Sequence, residues 1–173
     1  MYSIRYPRYE IRPLTTSDKE LVKEVVYQAI YVPKDHPPPT RAIFENKDIK
    51  KYYQHWGRKG DYGLALIHKA SEQPVGGVFI RYYPKDQAGY GFVSEAIPEL
   101  SIGLLPDHRD LGQGTRLLNA LMVHLKGTNC QGVSLSVDAK NRAYRLYKKL
   151  GFKTVREQNH LTMLLSFISE PFT

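Results

Sequence analysis

The chain has 173 residues, 42% of them hydrophobic and 12% aromatic, a make-up that lets one folded domain spanning residues 1–173 bury a core and excludes a largely disordered chain. Its 25 Lys and Arg against 17 Asp and Glu leave a formal charge of +8, which favours an anionic partner: nucleic acid, an anionic membrane surface or a phosphate-rich cofactor. One cysteine excludes an internal disulfide, and six scattered histidines without metal-ligand spacing give no reason to expect a metal.

At the start, "MYSIRYPRYE" lacks the apolar centre of a signal peptide, and no apolar run approaches the roughly 18 residues of a membrane span. The expected compartment is the reducing cytoplasm, with no membrane partner. "YEIRPL" reads as a strand. "TTSDKELVKEVVYQAIY" reads as the first helix, with Ser17 and Glu20 spaced as a capping box and Leu21, Val22, Val25 and Ala29 as its buried stripe. The prolines of "VPKDHPPPT" end it. A short helix is expected around "NKDIKKYYQHW", then a hairpin of "YGLALIHK" and "PVGGVFIRYY". "PKDQAGYGFVSEAI" reads as a loop leading into a strand from Glu99 to Leu104. A helix carrying Leu117, Leu118, Leu121, Met122 and Leu125 on one face should end near Gly127, followed by the alternating strand "VSLSV". A last helix places Ala143, Leu146, Tyr147 and Leu150 together and stops at Gly151. Two strands, "FKTVRE" and "LTMLLSFI", close the chain around "QNH". Interleaved strands and helices make an α/β or α+β sheet with helices packed on it.

Between the fourth strand and its following helix lies "RDLGQGT", residues 109–115. A strand-to-helix turn presents the unpaired first N–H groups of the helix and the positive end of its dipole, a natural phosphate cradle, and Gly112 and Gly114 let a phosphate approach the backbone. The stretch is neither a P-loop nor a dinucleotide fingerprint, since GxxxxGK is absent and Leu117 stands where a third glycine would be needed.

Arg109, Gly112 and Gly114 instead spell RxxGxG. Together with the glutamate-bearing strand of "PELSIGLLPDHRDLGQG" and with "NRAYRLYKKLGF" after "VSLSVDAKN", the chain resembles the GNAT superfamily of acyl-CoA-dependent N-acetyltransferases. The resemblance is specific over about residues 97–157 and rests on element order over residues 9–82. It implies an α/β (α+β) fold: a mixed, twisted sheet of six to seven strands with about four helices, splayed between the strands at Glu99 and Val133 around acetyl-CoA, the cosubstrate. By the same resemblance, Leu111, Gly112, Gln113, Gly114 and Thr115 would hold the CoA pyrophosphate beside Arg109. Ile102, Gly103 and Leu104 would pair with the pantetheine arm, and Asn141 and Tyr147 would contact the cofactor. The family often has glycine after the arginine, where this chain has Asp110.

Acetyl transfer to an amine needs a base, a polarised carbonyl and a proton for the leaving thiolate. Glu99 matches the strand glutamate that serves as base in the family, with Glu95 as the nearest substitute; the plain alternative is a carboxylate paired with a basic residue. Tyr147 matches the general acid, with Tyr144 one turn earlier. Trp56 and Tyr53 either cap the core or, with Asp61, line an acceptor pocket. An acidic entrance for a cationic amine would draw on "SEAIPEL" and Asp61. The expected partner is a small-molecule or peptide amine, with no specific nucleic acid, and a homodimer is left open. A catalytically silent CoA-binding regulator and a nucleic-acid-binding module are the competing readings.

Overall fold

The structure, a computed structural model, describes residues 8–168. Its elements, in chain order, are β1 (Tyr9–Pro13), α1 (Lys19–Ala29), α2 (Lys47–Tyr53), β2 (Tyr62–His68), β3 (Gln73–Arg81), β4 (Glu99–Leu104), α3 (Gln113–Lys126), β5 (Gly132–Val137), α4 (Ala143–Lys149), β6 (Lys153–Glu157) and β7 (Leu161–Ser166). The strands form one sheet in the order β1-β2-β3-β4-β5-β7-β6. Neighbours pair antiparallel except β4 and β5, which are parallel. The fold is the mixed sheet with four α-helices that the motifs imply.

Alternation along the strands assigns the two faces. Leu64, Leu66, Val78 and Ile80 join the stripe of α3 and Tyr147 of α4 in one core, while Ala65 and Phe79 face a second core built from α1 and α2. All five predicted stripe residues of α3 are buried. Helix α1 crosses β4 at Gly103, where a Cβ would strike the Val25 carbonyl and the side chain of Gln28. Glycine there lets the helix lie directly on the strand.

Two details of the α1 expectation change. The N-cap is Asp18, with no side-chain capping bond, because Arg12 of β1 takes both Asp18 oxygens at 2.8 and 2.9 Å and the Ser17–Glu20 box does not form. Val26 rather than Ala29 completes the buried stripe, since Ala29 ends the helix exposed. No helix among the described residues is long and apolar enough to cross a membrane.

Candidate active site

Strands β4 and β5 share a single register pair, Glu99 with Ser134, reinforced by the Ser134 N–H donating to the Pro98 carbonyl at 3.0 Å. Past that pair they part, and the edge of β4 turned away from β3 has no ladder partner from Leu100 to Leu104 among the described residues. Unpaired strand backbone is open to an extended partner. Ile102, Gly103 and Leu104 lie along this fork.

The glycine turn lies beyond the end of β4. Asp110 and Gly112 have φ of +60° and +79°, so the position after Arg109 requires left-handed backbone. Aspartate tolerates it better than most side chains, which is how this chain does without the usual glycine. The exposed Asp110 carboxylate pairs with Arg142 at 3.0 Å, joining the turn to the start of α4. Gly112 caps α3 without a side chain, leaving the N–H groups of Gln113, Gly114 and Thr115 with no intrahelical acceptor. A Cβ at Gly112 or Gly114 would meet nothing within 4 Å. Leu111 is half exposed beside them. The Arg109 side chain braces the turn from behind, donating from Nε to the Leu104 carbonyl at 2.9 Å and from Nη2 to Gln28 Oε1 at 2.8 Å.

Glu99, the first residue of β4, is 3% exposed. Its Oε1 accepts from the Tyr52 hydroxyl at 2.7 Å and from the Gly91 N–H at 3.0 Å. Its Oε2 has no partner among the described residues. Burial raises the carboxyl to about 7, against the opposing pull of these two hydrogen bonds and of the charges on Lys51 and Arg156. The expected alternative, pairing with a basic residue, does not occur among the described residues. Arg81 is the register partner of Glu99 across β3 and β4, yet its guanidinium is bound by Asp61 at 3.0 and 2.8 Å.

Tyr147 lies in the core shared by α3 and α4, its ring 5.7 Å from that of Phe152. Burial pushes its hydroxyl well above the ordinary tyrosine range, so the proton stays on at neutral pH. No hydrogen bond joins it to Glu99 among the described residues; they sit on opposite sides of the fork, on β4 and α4. Tyr144 is half-buried on the same helix. Asn141 closes the first turn of α4, its Oδ1 accepting from the Ala143 N–H at 3.0 Å.

Several other expectations resolve. Glu95 is exposed and accepts from the Lys85 N–H at 2.8 Å, tied to the loop rather than to the fork. Trp56 closes the core: it is buried against Phe79 and donates to the Thr15 carbonyl at 3.1 Å. Tyr53 donates to the Phe44 carbonyl at 2.9 Å. Asp61 is 2% exposed at its side chain and fully engaged, so it supplies no acidity to an entrance. Among the scattered histidines, His108, in the connection between β4 and α3, lies with its Nδ1 2.7 Å from the Tyr9 hydroxyl.

Sequence reasoning missed the surroundings of Glu99. Tyr52 was one of two adjacent tyrosines in an aromatic-rich stretch, and only the register of α2 shows which of the two reaches the carboxylate. The Tyr52 hydroxyl also accepts from the Tyr90 N–H at 2.7 Å, and Lys51 Nζ donates to the Ala88 carbonyl at 2.7 Å. These bonds fasten residues 88–91 over Glu99. The buried Tyr83 hydroxyl has no partner among the described residues.

A fork beside a capless glycine turn, with a buried carboxylate at its closed end, defines a protein of the CoA-dependent acyltransferase type. The profile of the Acetyltransferase (GNAT) family matches residues 27–152, and the chain belongs to that family. A stretch of 63 residues, 35% of this chain, is 46% identical to an N-alpha-acetyltransferase of Sulfurisphaera tokodaii; the match spans 38% of that relative. Among solved structures, the PaiA N-acetyltransferase of Thermoplasma acidophilum in complex with coenzyme A superposes with a TM-score of 0.62 at 18% identity, covering 91% of this chain and 98% of that one. A GNAT family acetyltransferase of Brucella melitensis in complex with acetyl-CoA gives 0.57 at 18% identity, covering 94% and 90%.

Proposed function

We propose that the protein is an acetyl-CoA-dependent N-acetyltransferase in which a primary amine attacks the thioester directly. The observation that carries the reading is Glu99, buried at the closed end of the fork with no ion pair and one unpartnered oxygen among the described residues. A buried carboxyl raised to about 7 and left without a cation is the setting in which catalytic bases are found. The same feature favours turnover over a silent CoA-binding regulator.

Acetyl-CoA, when bound, supplies an activated acyl group and a thiolate leaving group. The residues present fit it: the first N–H groups of α3 would receive the pyrophosphate in the open space over Gly112 and Gly114, and the free edge of β4 would pair with the pantetheine amides. Arg109 holds the turn in place, and Asn141 and Arg142 stand just before α4, with Arg142 paired to Asp110 of the turn. Glu99 would take the proton of the amine through a water, Tyr147 would return one to the sulfur, and the Leu104 N–H would polarise the carbonyl.

The basicity of Glu99 bears on the acceptor. A base near 7 lies within about one unit of a peptide α-ammonium but more than three below a lysine side chain, so an α-amino group is the easier substrate to deprotonate. The name of the Sulfurisphaera relative agrees with that choice. The +8 charge suits CoA and a generally basic surface, with no sequence-specific nucleic acid as partner. The test is thiol release from acetyl-CoA against peptides with free and blocked amino termini, lysine-bearing blocked peptides and small amines. Release with free α-amines alone is the expected result; none with any amine would reject the enzyme reading.

A further inference from the structure

Glu99 and Arg81 stand directly opposite each other on the antiparallel pair β3–β4, so their side chains leave the sheet on the same face, a spacing at which opposite charges normally pair. Both are buried, Arg81 at 0% and Glu99 at 3% exposure. Yet no hydrogen bond or ion pair connects them among the described residues. The guanidinium is turned the other way. Asp61 grips Nε and Nη2 in a two-pronged pair, and Nη1 donates to the Lys51 and Gln54 carbonyls at the end of α2 at 3.0 and 2.6 Å. Asp61 is itself fixed by the N–H groups of Gly57 and Arg58 at 3.0 and 2.9 Å. Burial raises the Tyr83 hydroxyl well above the ordinary tyrosine range, helped by the charges of Glu99 and Asp61 and opposed by those of Arg81 and Arg58.

We propose that Asp61 is a positioning residue for catalysis: by occupying Arg81 it withholds from Glu99 the cation that faces it across the sheet, leaving Glu99 free to accept a proton. A planar guanidinium suits this task, since its fork is satisfied by one carboxylate and two carbonyls in a fixed orientation. The other groups facing Glu99 act more weakly or oppositely. Lys51 from α2 and Arg156 from β6 stabilise the carboxylate from a distance, Tyr52 and the Gly91 N–H do so by hydrogen bonds, and burial outweighs them. A freed Arg81 would add a close, desolvated cation to that list. An opposite charge at such range lowers a carboxyl by about one to three units.

The inference rests on Glu99 being the base, and its test separates the two. The Glu99 carboxyl is titrated directly in protein carrying carbon-13 at glutamate carboxyls, and the acidic limb of kcat/KM is recorded alongside. Asp61→Asn keeps an oxygen for the Gly57 and Arg58 N–H groups but loses the charge that holds Arg81. Its Glu99 midpoint should fall by about one unit or more, with the kinetic limb following. Asp61→Asn/Arg81→Met removes cation and anion together, and the midpoint should return toward the parent value, a recovery that general damage to the fold would not produce. If Asp61→Asn does not fold, Arg81→Met is read in its place: Asp61 then keeps the Gly57 and Arg58 N–H bonds but loses its ion-pair partner, and the Glu99 midpoint should rise. An unchanged midpoint in any folded single variant, or a double variant as low as Asp61→Asn, overturns the proposal. A midpoint that moves as expected while the kinetic limb stays put sustains the electrostatic relationship and rejects Glu99 as the base.

Discussion

Gly89 lies so closely over Glu99 that a Cβ at residue 89 would overlap the carboxylate Oε2 and stand 2.6 Å from the Tyr52 hydroxyl. The one unpartnered oxygen of the candidate base is therefore roofed by the backbone of the loop that Tyr52, Lys51 and His160 hold down. The φ of Gly89 lies outside the left-handed region, so alanine suits the backbone, and what stands in its way is the Glu99 carboxylate and the Tyr52 hydroxyl bound to it. Gly89→Ala should leave the fold and CoA affinity intact while turning Glu99 or lifting the loop, with kcat falling by about tenfold or more, since misplacing a reacting group by an ångström can cost about a hundredfold. Steady-state kinetics beside CoA calorimetry checks this; unchanged kcat would mean the roof is not part of the working geometry.

Glu99→Gln should separate activity from stability. Glu99 is raised from its ordinary 4.5 to about 7, so the folded state binds its proton more tightly than the unfolded chain does. Its contribution is complete below about 4.5 and is lost as pH rises through about 7, leaving a buried charge that opposes folding by roughly 3 kcal/mol. The glutamine variant should therefore be more stable than the parent at pH 8 and nearly equal to it at pH 4.5, by denaturant melts at both values. Turnover should drop and lose its acidic limb near pH 7. A stability difference independent of pH would place the ionisation elsewhere.

Tyr147→Phe keeps the buried ring against Phe152 and removes only the hydroxyl. If that hydroxyl returns the proton to the departing sulfur, kcat should fall by about a hundredfold or more with CoA binding little changed. Near-parent turnover would make Tyr147 a packing residue and shift the acid role to Tyr144.

What the sequence displayed of this molecule was whatever repeats or sits close in the chain. The stripe of α3 and the alternation of β2 and β3 are written at fixed periods, and the glycine turn is contiguous, so elements and cradle could be located without a structure. The setting of Glu99 could not. It is assembled from α2, the end of β2's preceding loop, β3 and residues 88–91, with Tyr52 reaching it from 47 positions away. Asp61 looked like entrance acidity because its sequence neighbours are polar and flexible; only the pairing of β3 with β4 shows the arginine it restrains. Ser17 and Glu20 fail as a cap for a nearer reason: Arg12, six positions before Asp18, binds both oxygens of that carboxylate, a pairing that no helical period announces.

The cradle is best probed at Gly114. Gly112 needs its φ of +79°, so any side chain there strains the turn and confuses folding with binding. Gly114 has ordinary helical geometry in the first turn of α3, and a Cβ there meets nothing within 4 Å, so Gly114→Val should fold at least as well as the parent, valine being the better helix former. The branched side chain would then occupy the space from which a pyrophosphate must approach the N–H groups of Gln113, Gly114 and Thr115. CoA affinity should fall by at least about tenfold, roughly 1.4 kcal/mol, by calorimetry on protein whose melting temperature is unchanged or raised. Dephospho-CoA, which keeps the pyrophosphate and lacks only the ribose phosphate, should lose the same factor. Unaltered binding of both in the folded variant would move the pyrophosphate off this turn and leave the open space over Gly112 and Gly114 to another part of the ligand.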